Sequence, residues 1–180
     1  MRKAFTLIEV MVVVAILSIL AMIAVARYQS YLERARESAA QSLLQNLALA
    51  EFTLKSNPLA EADFLPVAGF DAATKNSLIA LGDCGFRPDD QIAFIAAPFT
   101  GETPGGFLLF AAHASVGARV FVYNFVPLNG VRLMDPGAPY AVALPATIHA
   151  YRWKSGPDIE LAATLRIDTG TGLVSEAARY

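Results

Sequence analysis

Glu9 is the one formally charged residue in the 22 positions from Phe5 to Ala26, FTLIEVMVVVAILSILAMIAVA. A carboxylate there costs about 2.5–3.5 kcal/mol near a bilayer centre and less toward the interface. The chemistry that would justify it is pairing with a cation, because an unpaired buried charge is strongly disfavoured. The other reactive side chains are dispersed. His113 and His149 lack metal-ligand spacing and lie in apolar runs, so they read as core or surface histidines. Asp83, Asp89 and Asp90 offer oxygens to calcium but not at EF-hand spacing, and they read as a solvated loop. Cys84 is the single cysteine, so no intrachain disulfide or multi-cysteine zinc site can be built, and a buried, unpaired thiol is expected. No Walker loop or G-x-G-x-x-G is present, and no cofactor is expected.

Ile167-Asp168-Thr169-Gly170-Thr171-Gly172 resembles the D-T-G motif of aspartic proteases, where two aspartates share one proton. One copy is present, and the domain is too small for a two-lobed enzyme, although a homodimeric site stays open on the motif alone. The reading we favour is a hairpin turn between TLRID and LVSE, rich in glycine because such turns use positive φ.

Hydrophobic residues make up 55% of the chain against about 45–50% in ordinary globular proteins, and much of the excess sits in the first 26 residues. Net charge is −2, with no clustered Lys and Arg to bind nucleic acid. Three readings of the first segment compete. Arg2, Lys3 and an Ala24-Val25-Ala26 cleavage site fit a secretory signal peptide, but the apolar stretch exceeds the usual ~7–15 residues and contains Glu9. A membrane anchor with a cytoplasmic N-terminus explains the length and the leading charges, but not Glu9.

The third reading rests on the residues after Ala26. No helix breaker occurs before Asn57-Pro58, and Leu32, Ala35, Ala39, Leu43, Leu47, Ala50 and Leu54 recur at three- and four-residue steps. One helix from about Phe5 to Ser56 is therefore expected. Its first half is apolar all round and its second half amphipathic, with Glu33–Arg36 and Arg34–Glu37 as weak surface pairs. Beyond it, Asp71 to Leu81 reads as a short helix capped by Asp71 and closed by Gly82. IAFIAAPF, GFLLFAAHA, RVFVYNFVP, YAVALPA, IHAYRWK and IELAATLRID read as strands, with Gly101 to Gly106 as the first hairpin loop. Val120, Val122 and Asn124 alternate with Phe121, Tyr123 and Phe125, as in a strand with unlike faces. The fold class is α+β: a long N-terminal helix whose second half packs on an antiparallel sheet.

The basic leader, the F-T-L-I-E-V start of an apolar helix and the following YQSYLERARESAA resemble the N-terminus of type IV pilins and the pseudopilins of type II secretion. The resemblance covers about residues 1–55. It implies cleavage between Ala4 and Phe5 by a prepilin peptidase, N-methylation of Phe5, and pairing of Glu9 with the Phe5 amine of a neighbouring subunit. Self-pairing with its own Phe5 amine, or protonation in the membrane, is the competing role for Glu9. The resemblance divides the chain into a leader (1–4), a transmembrane and assembly helix (5–26), its amphipathic half (27–56) and a globular head (57–180). Leu32, Ala35, Ala39, Leu43 and Leu47 would pack that helix on the head. The implied partners are further copies in a helical filament, the peptidase, inner-membrane assembly machinery and, before assembly, the bilayer. The implied location is the inner membrane, single-pass with a cytoplasmic N-terminus and periplasmic head, and then a surface filament. Three departures stand out: Ala4 replaces the usual glycine, Ser18 and Ala26 stand where the family often has glycine and proline, and one cysteine cannot close a C-terminal loop. The resemblance implies a non-enzymatic pilus subunit for adhesion, motility or DNA uptake, or a pseudopilin. An anchored enzyme using Asp168 is the rival from another class.

Overall fold

The computed structural model describes residues 6–56, 65–98, 107–126, 130–134, 144–154 and 158–180. Two compact units divide the chain, Met1–Arg36 and Glu37–Tyr180, and helix α1 (Leu7–Lys55) contributes to both. In the first unit every side chain over residues 6–31 is exposed, including Leu7, Met11, Leu20 and Met22. The two serine hydroxyls in this run bond back to the helix: Ser18 Oγ donates to Val14 O at 2.8 Å and Ser30 Oγ to Ala26 O at 3.3 Å. That back-bonding satisfies a serine without water.

In the second unit α1 buries Ala40, Leu43, Leu44, Leu47, Ala48, Ala50, Glu51 and Leu54. Beside it lies α2 (Ala72–Asp83), whose N-cap is Asp71, with Oδ1 accepting from Thr74 N–H at 2.8 Å. Gly82 does not close this helix. Gly85 does, at φ +90°, with Gly85 N–H donating to Gly82 O and Phe86 N–H to Leu81 O, both at 3.0 Å. This is a Schellman closure, and Leu81 and Phe86 supply its apolar contact within the core. Gly82 answers a different need, a close approach inside the last turn.

Seven antiparallel strands form one sheet: β1 (Ile92–Pro98), β2 (Phe107–His113), β3 (Phe121–Val126), β4 (Gly130–Met134), β5 (Thr147–Trp153), β6 (Ile159–Asp168) and β7 (Leu173–Arg179), in the order β4-β3-β2-β1-β5-β6-β7. β4 is not evident from the sequence pattern, since GVRLM is short and begins at a glycine. YAVALPA gives no strand over residues 144–146. Its first four residues, the 101–106 loop and the Asn57-Pro58 stop lie outside the described residues.

One sheet face meets both helices: Phe94, Ala96, Leu109, Ala111, Phe121 and Tyr151 share a cluster with Leu44, Leu47, Leu78 and Leu81. The opposite face packs on itself through Ile95, Phe110, Ala112, Val122, Ile148, Ala150, Leu165 and Val174. In β3, Phe121 belongs to the helix-side cluster and Val122 to the opposite one, and both are buried. The second face stays dry because the sheet curls. Residues 117–120 pair with the start of β7: Val120 N–H donates to Gly172 O (3.0 Å), Val174 N–H to Ala118 O (2.9 Å) and Gly117 N–H to Val174 O (2.8 Å). A bulge at Ala150/Tyr151 on the β5–β6 ladder moves Ile159 and Leu161 to the helix side and leaves Ala163, Leu165 and Ile167 inside the curl. Bulges of this kind increase local twist.

A Cβ at Gly82 would meet Trp153 Cη2 at 2.5 Å and Arg87 Nη1 at 2.9 Å. The indole is rigid, and Arg87 is tethered to the Gly82 and Phe86 carbonyls. Helix propensity favours Gly→Ala by about 1 kcal/mol, whereas overpacking costs about 1–3 kcal/mol. We expect Gly82→Ala to lower the thermal midpoint of the full chain in detergent; a raised midpoint would show that Trp153 moves aside freely.

Candidate functional site

Glu9 stands in the first turn of α1, exposed among exposed Leu7, Ile8, Val10 and Met11. Glu9 N–H donates to Thr6 O at 3.1 Å and Val10 N–H to the same oxygen at 3.4 Å, so Thr6 starts the helix. The Thr6 hydroxyl reaches Glu9 Oε2 at 3.5 Å, the outer limit of a hydrogen bond. The unsatisfied N–H groups of a first helical turn favour a carboxylate here by about 0.3–1 kcal/mol. That is too little to offset its place in an apolar span. Among the described residues no cation pairs with it; Ala4 and Phe5 lie outside them.

Along the helix, Leu43 and Leu47 are core residues, Leu32 is half-buried, and Ala35 and Ala39 are exposed. The row that meets the sheet starts at Ala40 and includes Leu44 and Ala48. The helix is apolar over more than one stripe, so spacing alone does not select the row a neighbouring surface will cover. Glu37 pairs with Arg119 at 3.9 Å, a partner supplied by the head rather than by its own helix.

The groups with possible catalytic chemistry are separately occupied. Asp168 Oδ1 accepts from Gly170 N–H at 2.9 Å and Thr171 N–H at 3.4 Å, and Gly172, at φ +68°, returns its N–H to Asp168 O at 2.8 Å. These bonds hold the exposed carboxylate below its usual pKa, whereas a proton-sharing dyad requires one carboxyl to be raised. His113 Nδ1 meets Ser115 Oγ at 3.0 Å and His149 Nδ1 meets Thr164 Oγ1 at 3.1 Å. Burial lowers the pKa of His149. Asp89 Oδ1 accepts from Gln91 N–H at 2.8 Å and Asp90 pairs with Arg152 at 3.3 Å. Among the described residues no group of three or more His, Cys, Asp or Glu could hold a metal. Cys84 is a free thiol but half-buried rather than buried, because it sits at the C-cap of α2 at the edge of the core.

Sequence reading missed Glu51. It has no exposed surface, and Oε2 accepts from Leu65 N–H at 3.1 Å, while Oε1 is buried with no partner among the described residues. Burial pushes its pKa from 4.5 up to about 7, against the opposing pull of the Leu65 N–H. The signal was present: Glu51 lies one turn beyond Leu47 on the core-facing row, a charge in an apolar phase. For Asp168 the geometry gives a plain expectation. Asp168→Asn keeps a turn acceptor, so the chain should fold as before, and wild type and variant should be alike in a casein-cleavage assay. Peptidase activity lost with the variant would overturn the turn reading.

The family model described as the prokaryotic N-terminal methylation motif matches residues 1–25. The chain is 40% identical over 84 residues to a fimbrial protein of Moraxella nonliquefaciens, covering 47% of this chain and 51% of that protein. It is 32% identical over 131 residues to the type IV major pilin protein PilA of Myxococcus xanthus, covering 70% of this chain and 60% of that one. It is 36% identical over 93 residues to the type IV major fimbrial protein FimA of Dichelobacter nodosus, covering 47% and 60%. The chain thus spans 51–60% of the length of these relatives. No solved structure matches it at comparable significance. α1 is long and apolar enough to cross a membrane. A methylation motif opening such a helix, an antiparallel sheet packed on that helix's second half, and three relatives named as pilin or fimbrial proteins together make the chain similar to type IV pilins and fimbrial proteins.

Proposed function

We propose that this chain is a structural subunit of a type IV pilus, held in the inner membrane by residues 5–26 and assembled into a filament through the same segment. The observation that carries the proposal is Glu9, an acid in the first turn of a helix whose surrounding apolar side chains are all exposed. Cleavage between Ala4 and Phe5 by a prepilin peptidase creates an α-ammonium with a reference pKa of about 7.7–8.0. N-methylation keeps that charge. Phe5 lies four residues before Glu9 in the sequence. An amine from a neighbouring copy that reaches Glu9 fixes the axial offset between two helices. A copy arriving out of register leaves the acid unpaired, which costs roughly 3–5 kcal/mol once lipid and other helices have excluded water.

In this reading the N-terminus is cytoplasmic and the head periplasmic until assembly machinery extracts the subunit, and the surface filament serves adhesion, motility or DNA uptake. The names of the three relatives, all fimbrial or pilin proteins, support a pilus subunit. Glu9→Ala removes a charge from the span, so the variant should insert in the membrane at least as well as wild type yet yield few sheared filaments. Abundant normal filaments composed wholly of the variant would refute the pairing role. The mature wild-type chain should begin at Phe5 and be one methyl group heavier than its sequence; a start at Arg27 would instead mark an ordinary signal peptide.

A further inference from the structure

Glu51 is the point where α1 holds the segment that comes after it. The backbone N–H of Leu65 is bound by Glu51 Oε2 at 3.1 Å. Two residues on, Val67 exchanges both backbone hydrogen bonds with Ala96 of β1, at 2.8 and 2.9 Å. The β1–β5 register consists of the pair Phe94↔His149, so Val67 caps the β1 edge just beyond that pairing. Glu51 therefore links helix, segment and sheet through one carboxyl group whose other oxygen is buried without a partner among the described residues.

We propose that Glu51 is a proton-operated latch: as the neutral acid it holds residues 65–68 against α1 and β1, and as the carboxylate it loosens them. A neutral carboxyl is far cheaper to bury than a carboxylate. The ionised form has about four lone-pair sites, and the described structure offers it one N–H. Water is the remaining source of donors, and lifting of the 65–68 segment breaks the Leu65 bond and frees Oε2 to take them.

Among the described residues no charged group contributes to the shift of Glu51: burial raises its pKa and the Leu65 N–H lowers it. On its own helix Lys55 stands one turn later and is exposed. The segment Leu65-Pro66-Val67-Ala68 carries no titratable side chain, nor does the core-facing row of β1, Ile92, Phe94 and Ala96. Within the shared cluster the titratable members are Cys84, half-buried, and Tyr151, whose hydroxyl donates to Gly69 O at 2.6 Å. With the closed-state pKa raised from 4.5 to about 7, the latch is fully effective below pH 4.5. Its opening constant then rises about tenfold per pH unit up to about 7 and levels off above that.

The test is amide hydrogen exchange of the full chain in detergent micelles from about pH 4 to about pH 9, expressed as protection factors corrected for intrinsic rates. In wild type, protection of Leu65 and Val67 should fall about tenfold per unit until near pH 7 and then stay level. In Glu51→Gln, which keeps an acceptor and no charge, protection should be high and flat. Flat protection in wild type, or the same slope in both proteins, would overturn the proposal. Should the variant fail to fold, the wild-type Glu51 carboxyl carbon shift gives the answer directly. A midpoint near 7 supports the latch, and one near the ordinary glutamate value overturns it.

Discussion

The helix α1 carries more apolar surface than the head can cover, and the remaining architecture derives from that imbalance. From Ala40 to Ala50 its apolar core residues lie against the sheet and α2, away from water. From Leu7 to Val25 the large apolar side chains are about half exposed or more. At about 25 cal/mol per Å² such surface is not left in water. In the proposed function, lipid tails before assembly and neighbouring helices after it are the two environments that satisfy it, with the same stretch serving in both. On that proposal a charge inside it becomes an instruction about position, because hydrocarbon offers it no partner.

The head solves a different packing problem. A seven-stranded sheet has two faces, and the helices cover one of them. The other is closed by curling, with residues 117–120 paired to the beginning of β7 and a bulge redirecting β6. The concave side is rich in alanine, Ala93, Ala112, Ala114, Ala150, Ala162 and Ala163, which lets backbones on a strongly curved surface approach closely. On the helix side, Phe94 lies edge-on to both Phe86 and Tyr151, each at 5.3 Å between centroids.

Two glutamates on one helix show how environment assigns chemistry to the same side chain. Glu9 is exposed at a helix start, favoured by the dipole and lacking a cation among the described residues. Glu51 is enclosed and bonded to one N–H, and burial dominates its behaviour. Asp71 and Asp168 show the opposite regime: both are exposed, accept N–H bonds from their own cap or turn, and are held below their usual pKa.

Order along the chain is enough to specify the long helix, its division into an all-apolar and an amphipathic half, the N-cap of α2, five of the seven strands, the hairpin that leads into β7 and the anomaly at Glu9. These are local matters, set by period, capping and the free energy of a charge among apolar neighbours, so a linear reading reaches them. Packing in three dimensions selected which row of α1 is core, putting Ala40 and Leu44 inside and Ala39 outside. It also settled that Gly85 rather than Gly82 ends α2, that β4 forms, and that Glu51 is enclosed. Each depends on a surface brought from elsewhere in the chain: the sheet for α1, Trp153 for Gly82, β3 for β4, and the Leu65 segment for Glu51. Spacing states which faces are available, and only the folded neighbours choose among them.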